Sequence, residues 1–574
     1  MKKIFYLIAL SLLFASCEDF LDANSFTTKD SQTFPKTEED AEQMLTGVYA
    51  ILNTSLADPP KTYLLIAELS SDDRFGGGGA NDKALQSFNH LLYVNRDQLD
   101  DFWSQHYTGI ARANAALSAL ESMEDGDAKR QKLGEAQYLR AYFYFELVQM
   151  LGDVPLMKGA PENVQEAKTS PPQASQEEIF THIATDLWNA YSSMPAVKWN
   201  EVQSGTVTKW AAAGLLARVY LFYTGFYSKE ALPIEGGQIS AQQVVEALKD
   251  CIDNSGHALV KDFRSLWAYT NSVTKKDYPF AKEADTWVRD GQNPEHVFTV
   301  KMTHLGDWGT SIGYSNLFSL FFGLRNESTD YKTVFPLGQG WGAGPVNTQL
   351  WDEWKQDEPD DIRRSASIFN QEEEAVGEYN WGADSQMEET GLWQKKIVST
   401  TAFGKNGNAD ELYNSFSSAP EYFNSSSDNF QLGHETDIIG IRYADILLMH
   451  SELTRTPDGI NAVRARVNLP AVAAYSDKTL RKERRYELAF EGLRWGDIRR
   501  WRIAEEVLPT IYGVPVRNNR APTTMKRQGP GLAARYKATK GFYMIPQREI
   551  DLANGALKQN EGWGTEAIYN SWVE

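Results

Sequence analysis

The chain has 574 residues and a formal net charge of −20, with 42% hydrophobic and 23% charged residues. These proportions are typical of a soluble globular protein that can bury a large core. The acidic balance argues against a nucleic-acid-binding surface, because such surfaces concentrate lysine and arginine. It would also oppose attachment to an anionic membrane through basic side chains, so any membrane attachment must come from another feature.

The N-terminus has the pattern of a bacterial lipoprotein signal. Lys2 and Lys3 precede the apolar stretch 4–14, and small residues follow up to Ser16. This pattern predicts a signal peptide over residues 1–16, too short to cross a bilayer, and no later segment is long and apolar enough to do so. A signal cleaved directly before a cysteine favours lipidation of Cys17, whose acyl chains would anchor the protein. The alternative is an ordinary secretory signal followed by an incidental cysteine.

The only other cysteine of the chain is Cys251. If Cys17 is lipidated, Cys251 has no partner for an intrachain disulfide. We therefore expect a reduced, buried thiol at this position.

Four segments after the signal have apolar residues at helical spacing. The first opens with Thr37 as a cap and with acids in its first turn, and the third ends at Gly152 and Pro155. Trp103 lies on the apolar stripe of the second segment, which predicts a core position for its side chain. The predicted helical segments are 37–52, 99–123, 134–156 and 208–227.

The third and fourth helical segments resemble each other. Each carries a small residue, an arginine and a tyrosine in the same order, with Arg140 in one and Arg218 in the other. The arginines are separated by about two units of a helix-pair repeat. This similarity predicts helix pairs of the tetratricopeptide (TPR) type, in which small residues allow close packing of neighbouring helices.

The segment from 261 to about 430 has a different composition, rich in Gly, Asn, Ser and aromatic residues. It predicts loops and short strands, and its aromatic content argues against disorder. Long irregular segments within a compact chain are usually functional. We therefore expect the ligand-binding part of the molecule here.

Helical patterns return from Arg442 onwards. The segment 480–501 alternates acids and bases, for example Arg484 with Glu487 and Arg494 with Asp497. Such spacing predicts ion pairs along one helix face.

Five stretches, in this order along the chain, resemble the SusD/RagB family of surface nutrient-binding lipoproteins of Bacteroidetes. The resemblance covers the whole chain. The stretches are SCEDFLD, GEAQYLRAYFYFELVQMLGDVPL, IIGIRYADILLMHSEL, ERRYELAFEGLRWGDIRRW and GFYMIPQREIDLANGALKQN.

The resemblance implies a mostly α fold: a SusD-like scaffold of four TPR-like units with an irregular, loop-rich ligand-binding part. We expect a single domain over 17–574, with scaffold helices mainly in 37–260 and 436–510 and the variable part in about 261–430. The resemblance also implies a partner, a SusC-like TonB-dependent outer-membrane barrel over which the lipoprotein sits as a lid. Acids after the lipidated cysteine, here Glu18 and Asp19, resemble the signal that sends such lipoproteins to the outside of the cell.

The ligand-binding residues are predicted from sugar chemistry together with the resemblance. Sugar rings have an apolar C–H face and a rim of hydroxyls, so a site needs aromatic platforms beside planar polar groups. The family uses a polar loop after an early helix with aromatics further on, and the matching residues here are Asp72, Asp73, Arg74, Trp308, Tyr314 and Trp341. Each has an alternative. The acids could cap a helix or bind calcium, Asp73 and Arg74 could form a solvated pair, and each aromatic, like Trp381, could anchor a loop.

The sequence contains no pattern that singles out a catalytic site. A nucleophile elbow and a phosphate-binding loop are both missing, and His434-Glu435 lacks the second histidine of a zinc motif. The glycine run in 75–82 lacks the third glycine of a dinucleotide fingerprint and is expected to be a flexible loop. We expect neither a cofactor nor a metal, and we predict glycan capture without catalysis. Peptide capture, as in RagB-like members, and glycoside hydrolysis, which needs only two well-placed acids, are the alternatives.

Overall fold

We analysed a computed structural model, which describes residues 37–160, 171–289, 291–303, 315–325, 332–404, 412–415 and 431–572. The predicted signal peptide, Cys17, Trp308 and Tyr314 lie outside the described residues. The protein is about 49% helical and has only short strands. None of the helices in the described ranges is both long and apolar enough to cross a membrane.

The described helices fall into two groups, separated by the irregular part of the chain. The first group is α1 Glu38–Ser55, α2 Tyr63–Leu69, α3 Lys83–Phe88, α4 Asp100–Leu120, α5 Asp127–Leu151, α6 Gln176–Ser193, α7 Lys209–Tyr227 and α8 Ala241–Asn254. Short helices within the irregular part are α9 Phe318–Phe322, α10 Thr348–Asp357, α11 Ile362–Ser367 and α12 Gln371–Glu374. The second group is α13 Tyr443–Thr454, α14 Asp458–Arg466, α15 Asp477–Glu487, α16 Arg494–Arg500, α17 Ala504–Val507, α18 Leu532–Thr539 and α19 Gln547–Leu552.

The described strands are two to five residues long and pair two by two. They are β1 Leu232–Ile234, β2 Gly237–Ile239, β3 His296–Val300, β4 Leu324–Arg325, β5 Gln339–Gly340, β6 Ile368–Asn370, β7 Leu392–Gln394, β8 Thr400–Phe403, β9 Leu412–Ser415, β10 Ile438–Arg442, β11 Pro515–Asn518 and β12 Ala521–Thr524. The antiparallel pairs are β1–β2, β3–β10, β6–β7, β8–β9 and β11–β12, and β4–β5 is parallel.

The long helices form a scaffold in which sequential neighbours pack together. Helix α1 packs on α4, α4 on α5, α5 on α6, α6 on α7, and α7 on α8. Helix α8 then packs on α13, which follows the whole irregular part in the chain. The predicted fold class is therefore confirmed, and the loop-rich part is an insertion between two packed scaffold helices. The prediction of a single domain over 17–574 stays a prediction.

The two arginines that the repeat singled out make equivalent contacts. Arg140 on α5 donates from Nε and Nη2 to the carboxylate of Asp186 on α6, at 2.7 Å each. Arg218 on α7 donates from Nε to Asp445 on α13 at 2.7 Å. Gly214 allows the close approach of α7 and α13, because a Cβ there would lie 2.9 Å from the Ile446 side chain. The repeat in the sequence thus reflects a repeated way of joining helices.

Other positions along the helices also match their sequence patterns. Thr37 forms the predicted cap of α1, as part of a capping box with Asp40. Trp103 is 6% exposed and belongs to the core, as predicted. Cys251 is a free, buried cysteine, also as predicted.

The single helix face expected for 480–501 does not form, because the structure has two helices, α15 and α16, with a break between them. Gly492 lies in this break at φ +74°, a backbone conformation that favours glycine. The expected pairs along one helix face do not form either. Arg484 instead donates to Asp445 at 2.6 Å, and Arg494 donates to Asp72 at 2.8 Å.

Two acids of α15, Glu483 and Glu487, belong to an interior network that we call the buried ion cluster, formed by Glu295, Arg363, Arg442, Arg466, Glu483, Glu487 and Glu491. Glu487 accepts from Arg363 and from Arg442, each at 3.0 Å, and all three side chains are 0% exposed. Burial alone would raise the pKa of Glu487, but Arg466, Arg442 and Arg363 together lower it below its usual value. The cluster therefore joins the irregular part to the helical scaffold through buried ion pairs.

Candidate functional site

The polar triplet predicted to contact a ligand lies inside the molecule. Asp72, Asp73 and Arg74 are 4%, 3% and 0% exposed. Asp72 accepts from Arg494 at 2.8 and 2.7 Å, and Asp73 accepts from Arg485 Nε at 2.8 Å.

Arg74 does not form the pair with Asp73 that was considered as an alternative to ligand binding. Its Nη1 donates to Glu68 at 3.3 Å and its Nε to the Gly344 carbonyl at 2.8 Å. The alternative of a solvated pair between Asp73 and Arg74 is therefore wrong. Ligand contact by the triplet stays a prediction, but buried side chains with internal partners are typical of a structural role. Among the described residues, no group of three His, Cys, Asp or Glu could hold a metal ion.

The glycine run after the triplet is also buried, and this differs from the flexible loop expected from the sequence. Its backbone pairs with the segment 342–346: Gly78 N–H donates to the Gly342 carbonyl at 2.8 Å, and Gly344 N–H donates to Gly76 at 3.1 Å. Gly77 has φ +66°, and a Cβ there would lie 2.4 Å from the Gly342 oxygen. Only glycine fits this approach, which brings the early loop against the segment that carries Trp341.

Trp341 is half-buried and follows β5 directly. Its ring lies 4.7 Å from that of Phe321, edge to face at 68°. Leu317, Leu320 and Leu432 form the small apolar cluster on which it packs. Leu317 and Leu432 lie close in sequence to residues 315 and 431, where the described chain resumes.

A polar group that the sequence did not predict lies next to Trp341. Arg325 pairs in β4 with Gly340 of β5. Its Nη1 contacts Asp82 at 3.3 Å, and its Nε contacts the Asp384 carboxylate at 3.2 Å. The three side chains are 23%, 39% and 34% exposed, so they can exchange these contacts for others. We call Asp82, Arg325, Trp341 and Asp384 the Trp341 surface.

A second half-exposed indole, Trp381, lies three residues before Asp384. Its ring meets Tyr379 edge to face at 5.0 Å, and the Arg517 guanidinium lies 4.5 Å from the ring centre. One face of this ring is therefore already covered by a cation, which makes Trp341 the better platform.

Two buried acids, Glu388 and Glu389, have pKa values in the range that general acids often have. Burial raises the pKa of Glu388 to about 7, although the backbone N–H groups of Gly77 and Gly76 partly oppose the shift. Burial likewise raises the pKa of Glu389 to about 7, opposed by a hydrogen bond from Tyr379. The two side chains are 0% and 3% exposed. Neither carboxyl reaches the surface, so neither is positioned to protonate a glycosidic oxygen of a surface-bound chain.

Family models match both parts of the chain. A model described as "Starch-binding associating with outer membrane" matches residues 19–221, and one described as "SusD family" matches residues 285–563. The chain is also 24% identical over 532 residues to SusD-like protein P2 of Formosa agariphila, covering 87% of this chain and 90% of that protein. It is 23% identical over 523 residues to a SusD-like protein of Bacteroides ovatus, covering 87% and 82%.

Solved structures share the fold. Surface glycan-binding protein A from Bacteroides fluxus is 24% identical and superposes with a TM-score of 0.68, over 92% of this chain and 100% of that one. A laminarin-binding SusD-like protein is 24% identical with a TM-score of 0.67 and the same coverage. Surface glycan-binding protein A from Bacteroides thetaiotaomicron, in complex with laminarihexaose, is 18% identical with a TM-score of 0.65, again with this coverage.

Proposed function

The chain belongs to the SusD/RagB family, and on this premise we propose that it is a lipid-anchored protein that captures glycans at the cell surface. It passes oligosaccharides or polysaccharides to a SusC-like TonB-dependent barrel and performs no covalent chemistry. Proteins of this family are associated with the outer membrane. Lipidation of Cys17 provides the anchor, and Glu18 and Asp19 direct the protein to the outer face of that membrane.

The observation that carries glycan capture is the composition of the Trp341 surface. The half-buried indole of Trp341 follows Gly340, the strand partner of Arg325, and Arg325 contacts two partly exposed carboxylates. An indole face matches the C–H face of a pyranose, and planar charged groups bind pairs of adjacent hydroxyls. We propose Trp308 and Tyr314, which lie outside the described residues, as further aromatic platforms for the ligand.

Laminarin oligosaccharides are the first ligands to test. Two of the solved structures that share the fold are named for binding laminarin or for a complex with laminarihexaose. An open surface of this type binds weakly, so the barrel can take the ligand over.

The absence of catalysis is supported by the acids themselves. Two carboxyls whose pKa burial raises to about 7, Glu388 and Glu389, do not reach the surface. The exposed acids of the Trp341 surface, Asp82 and Asp384, both contact one arginine, an arrangement suited to holding hydroxyls.

Affinity electrophoresis against laminarin, starch and other polysaccharides tests the proposal. We expect retardation by at least one glycan, and Trp341→Ala to weaken binding about tenfold because the stacking contact is lost. Trp199→Ala is the matched control, since this half-buried indole stacks on His257 elsewhere in the fold, and it should bind like wild type.

The same experiment distinguishes the alternatives. Release of new reducing ends by the pure protein would show a glycoside hydrolase. Retardation by no glycan, together with capture of an oligopeptide, would show a peptide-binding protein of the RagB type. Equal weakening by Trp341→Ala and Trp199→Ala would remove the Trp341 surface as the site.

A further inference from the structure

An open cleft of about 570 Å³ lies where the C-terminal ends of α5 and α7 meet the end of α18. It shares no residue with the Trp341 surface. Its lining combines aromatic and charged side chains from five separate parts of the chain, among them Asp153, Phe226, Tyr227, Arg499, Tyr536 and Phe542.

Three polar atoms of this lining are buried without a hydrogen-bond partner: the Tyr227 hydroxyl, Asp153 Oδ1 and Arg499 Nε. Asp153 and Arg499 both act electrostatically on the Tyr227 hydroxyl, so the three groups are close together. A buried polar group without a partner costs about 1–3 kcal/mol. Three such groups in one cleft indicate a ligand that supplies both donors and acceptors.

The walls of the cleft are aromatic. Phe226 and Phe542 meet edge to face, with ring centres 5.5 Å apart. Arg499 lies over both rings, at 4.9 Å from Phe226 and 4.8 Å from Phe542. It donates to the carbonyls of Gln149 and Lys540 and hydrogen-bonds with the Tyr536 side chain, and none of the described carboxylates forms an ion pair with it. Its position is therefore set by rings and backbone, which leaves one edge of the guanidinium for a ligand.

The rim of the cleft carries charges of both signs. Arg502 and Lys540 are exposed on it, and so are Glu505 and Glu561. Because these charges balance, the cleft has no strong preference for an ionic ligand. Its size falls within the range of small-molecule sites, about 300–1,000 Å³.

We propose that this cleft is a second carbohydrate site, which binds one or two neutral pyranose rings. The C–H face of a ring packs against Phe226 and Phe542. Sugar hydroxyls donate to Asp153 Oδ1 and accept from Arg499 Nε, and the Tyr227 hydroxyl can do either. The site is independent of the Trp341 surface, and it would let the protein hold a second sugar or a second part of one chain.

Hydrogen–deuterium exchange with mass spectrometry tests the proposal, because it reports on each site separately. The full mature chain carrying Trp341→Ala is incubated with glucose, laminarihexaose or maltohexaose at millimolar concentration. We expect slower amide exchange in peptides that cover 223–229 and 536–542 with at least one of these sugars. Adding Tyr227→Phe and Asp153→Asn should weaken the apparent affinity at least fivefold. Tyr475→Phe is the control, since that hydroxyl contacts Asp477 on another surface.

Three results would overturn the second site. The first is unchanged exchange in both peptides with all three sugars, and the second is protection that survives Tyr227→Phe with Asp153→Asn. The third is protection by a pentapeptide such as penta-alanine where the sugars have no effect. Protection of peptides covering 317–341 in the wild-type chain reports on the Trp341 surface alone, so failure of one site does not imply failure of the other.

Discussion

The buried ion cluster and the Trp341 surface use the same chemistry for opposite purposes. In each, an arginine lies between carboxylates: Arg442 between Glu295, Glu487 and Glu491, and Arg325 between Asp82 and Asp384. Arg442 is fully buried, whereas the Arg325 side chain is 23% exposed.

Burial decides what each arrangement can do. A buried ion has lost its hydration, so its protein partners are indispensable. An exposed pair contributes about 0–1 kcal/mol, because water competes for the same groups. The first arrangement therefore holds the fold together, and the second is free to exchange its partners for a ligand.

Removing the central arginine of the cluster should have the largest effect. Arg442→Met leaves three buried carboxylates without a shared cation, and we expect the free energy of unfolding to fall by about 3–5 kcal/mol. Urea denaturation followed by tryptophan fluorescence measures it. Lys249→Met is the control, because Lys249 pairs with Asp253 where both side chains are exposed, and it should cost less than about 0.5 kcal/mol. Equal effects in the two variants would contradict the comparison.

A buried acid without a basic partner should give the opposite pH dependence from the acids of the scaffold. The pKa of Glu388 is about 7 in the folded protein against a usual 4.5, so the folded state binds this proton more tightly. Its stabilising contribution is complete below about pH 4.5 and is lost as the pH rises through 7. The free energy of unfolding of wild type should therefore fall by about 3 kcal/mol relative to Glu388→Gln between pH 4.5 and 8.

The comparison for this prediction is Asp445. Burial would raise its pKa, but Arg218 and Arg484 lower it to about 2 from a usual 3.8. Its contribution is present above about pH 4 and is lost as the pH falls through 2. Urea titrations at several pH values measure both. Parallel pH profiles for wild type and Glu388→Gln would show that Glu388 does not have the raised pKa.

Asp72→Asn separates a structural role from ligand contact and should have a smaller effect. The variant loses the charge that accepts two hydrogen bonds from Arg494, and we expect a loss of about 2 kcal/mol in the free energy of unfolding. Laminarihexaose affinity, measured by calorimetry, should stay within twofold of wild type. For the converse variant, Asp82→Asn, we expect the free energy of unfolding to be unchanged and laminarihexaose to bind more weakly than to wild type. If Asp72→Asn abolished binding without loss of stability, the site originally predicted from the sequence would be correct.

The scaffold was predictable because its signals are local. The capping box at Thr37, the apolar stripe that contains Trp103 and the repeat around Arg140 and Arg218 each lie within one or two helices. Periodicity reports directly on which face of a helix is buried.

The ion pairs and the polar contacts of the Trp341 surface were not predictable, because their partners are far apart in the chain. Arg484 and Glu487 have the spacing of a helix-surface pair, yet each bonds to a residue of another element. Asp82 and Arg325 are 243 positions apart, and no local pattern links them. Asp72 and Asp73 show the same limitation. From the sequence alone a loop of acids is expected to face solvent, but Arg485 and Arg494, more than 400 positions away, pair with these acids inside the protein.

The packing of α8 on α13 also has a consequence for engineering. Because the insertion leaves and rejoins the scaffold at adjacent helices, an insertion of another length adds little loop-closure entropy. The inserted loops could therefore be exchanged while the helical scaffold is kept. The exchange must retain Glu295 and Arg363, because these residues of the insertion form ion pairs with Arg442 and Glu487. A chimera built on that rule should keep the helical scaffold while the inserted loops change.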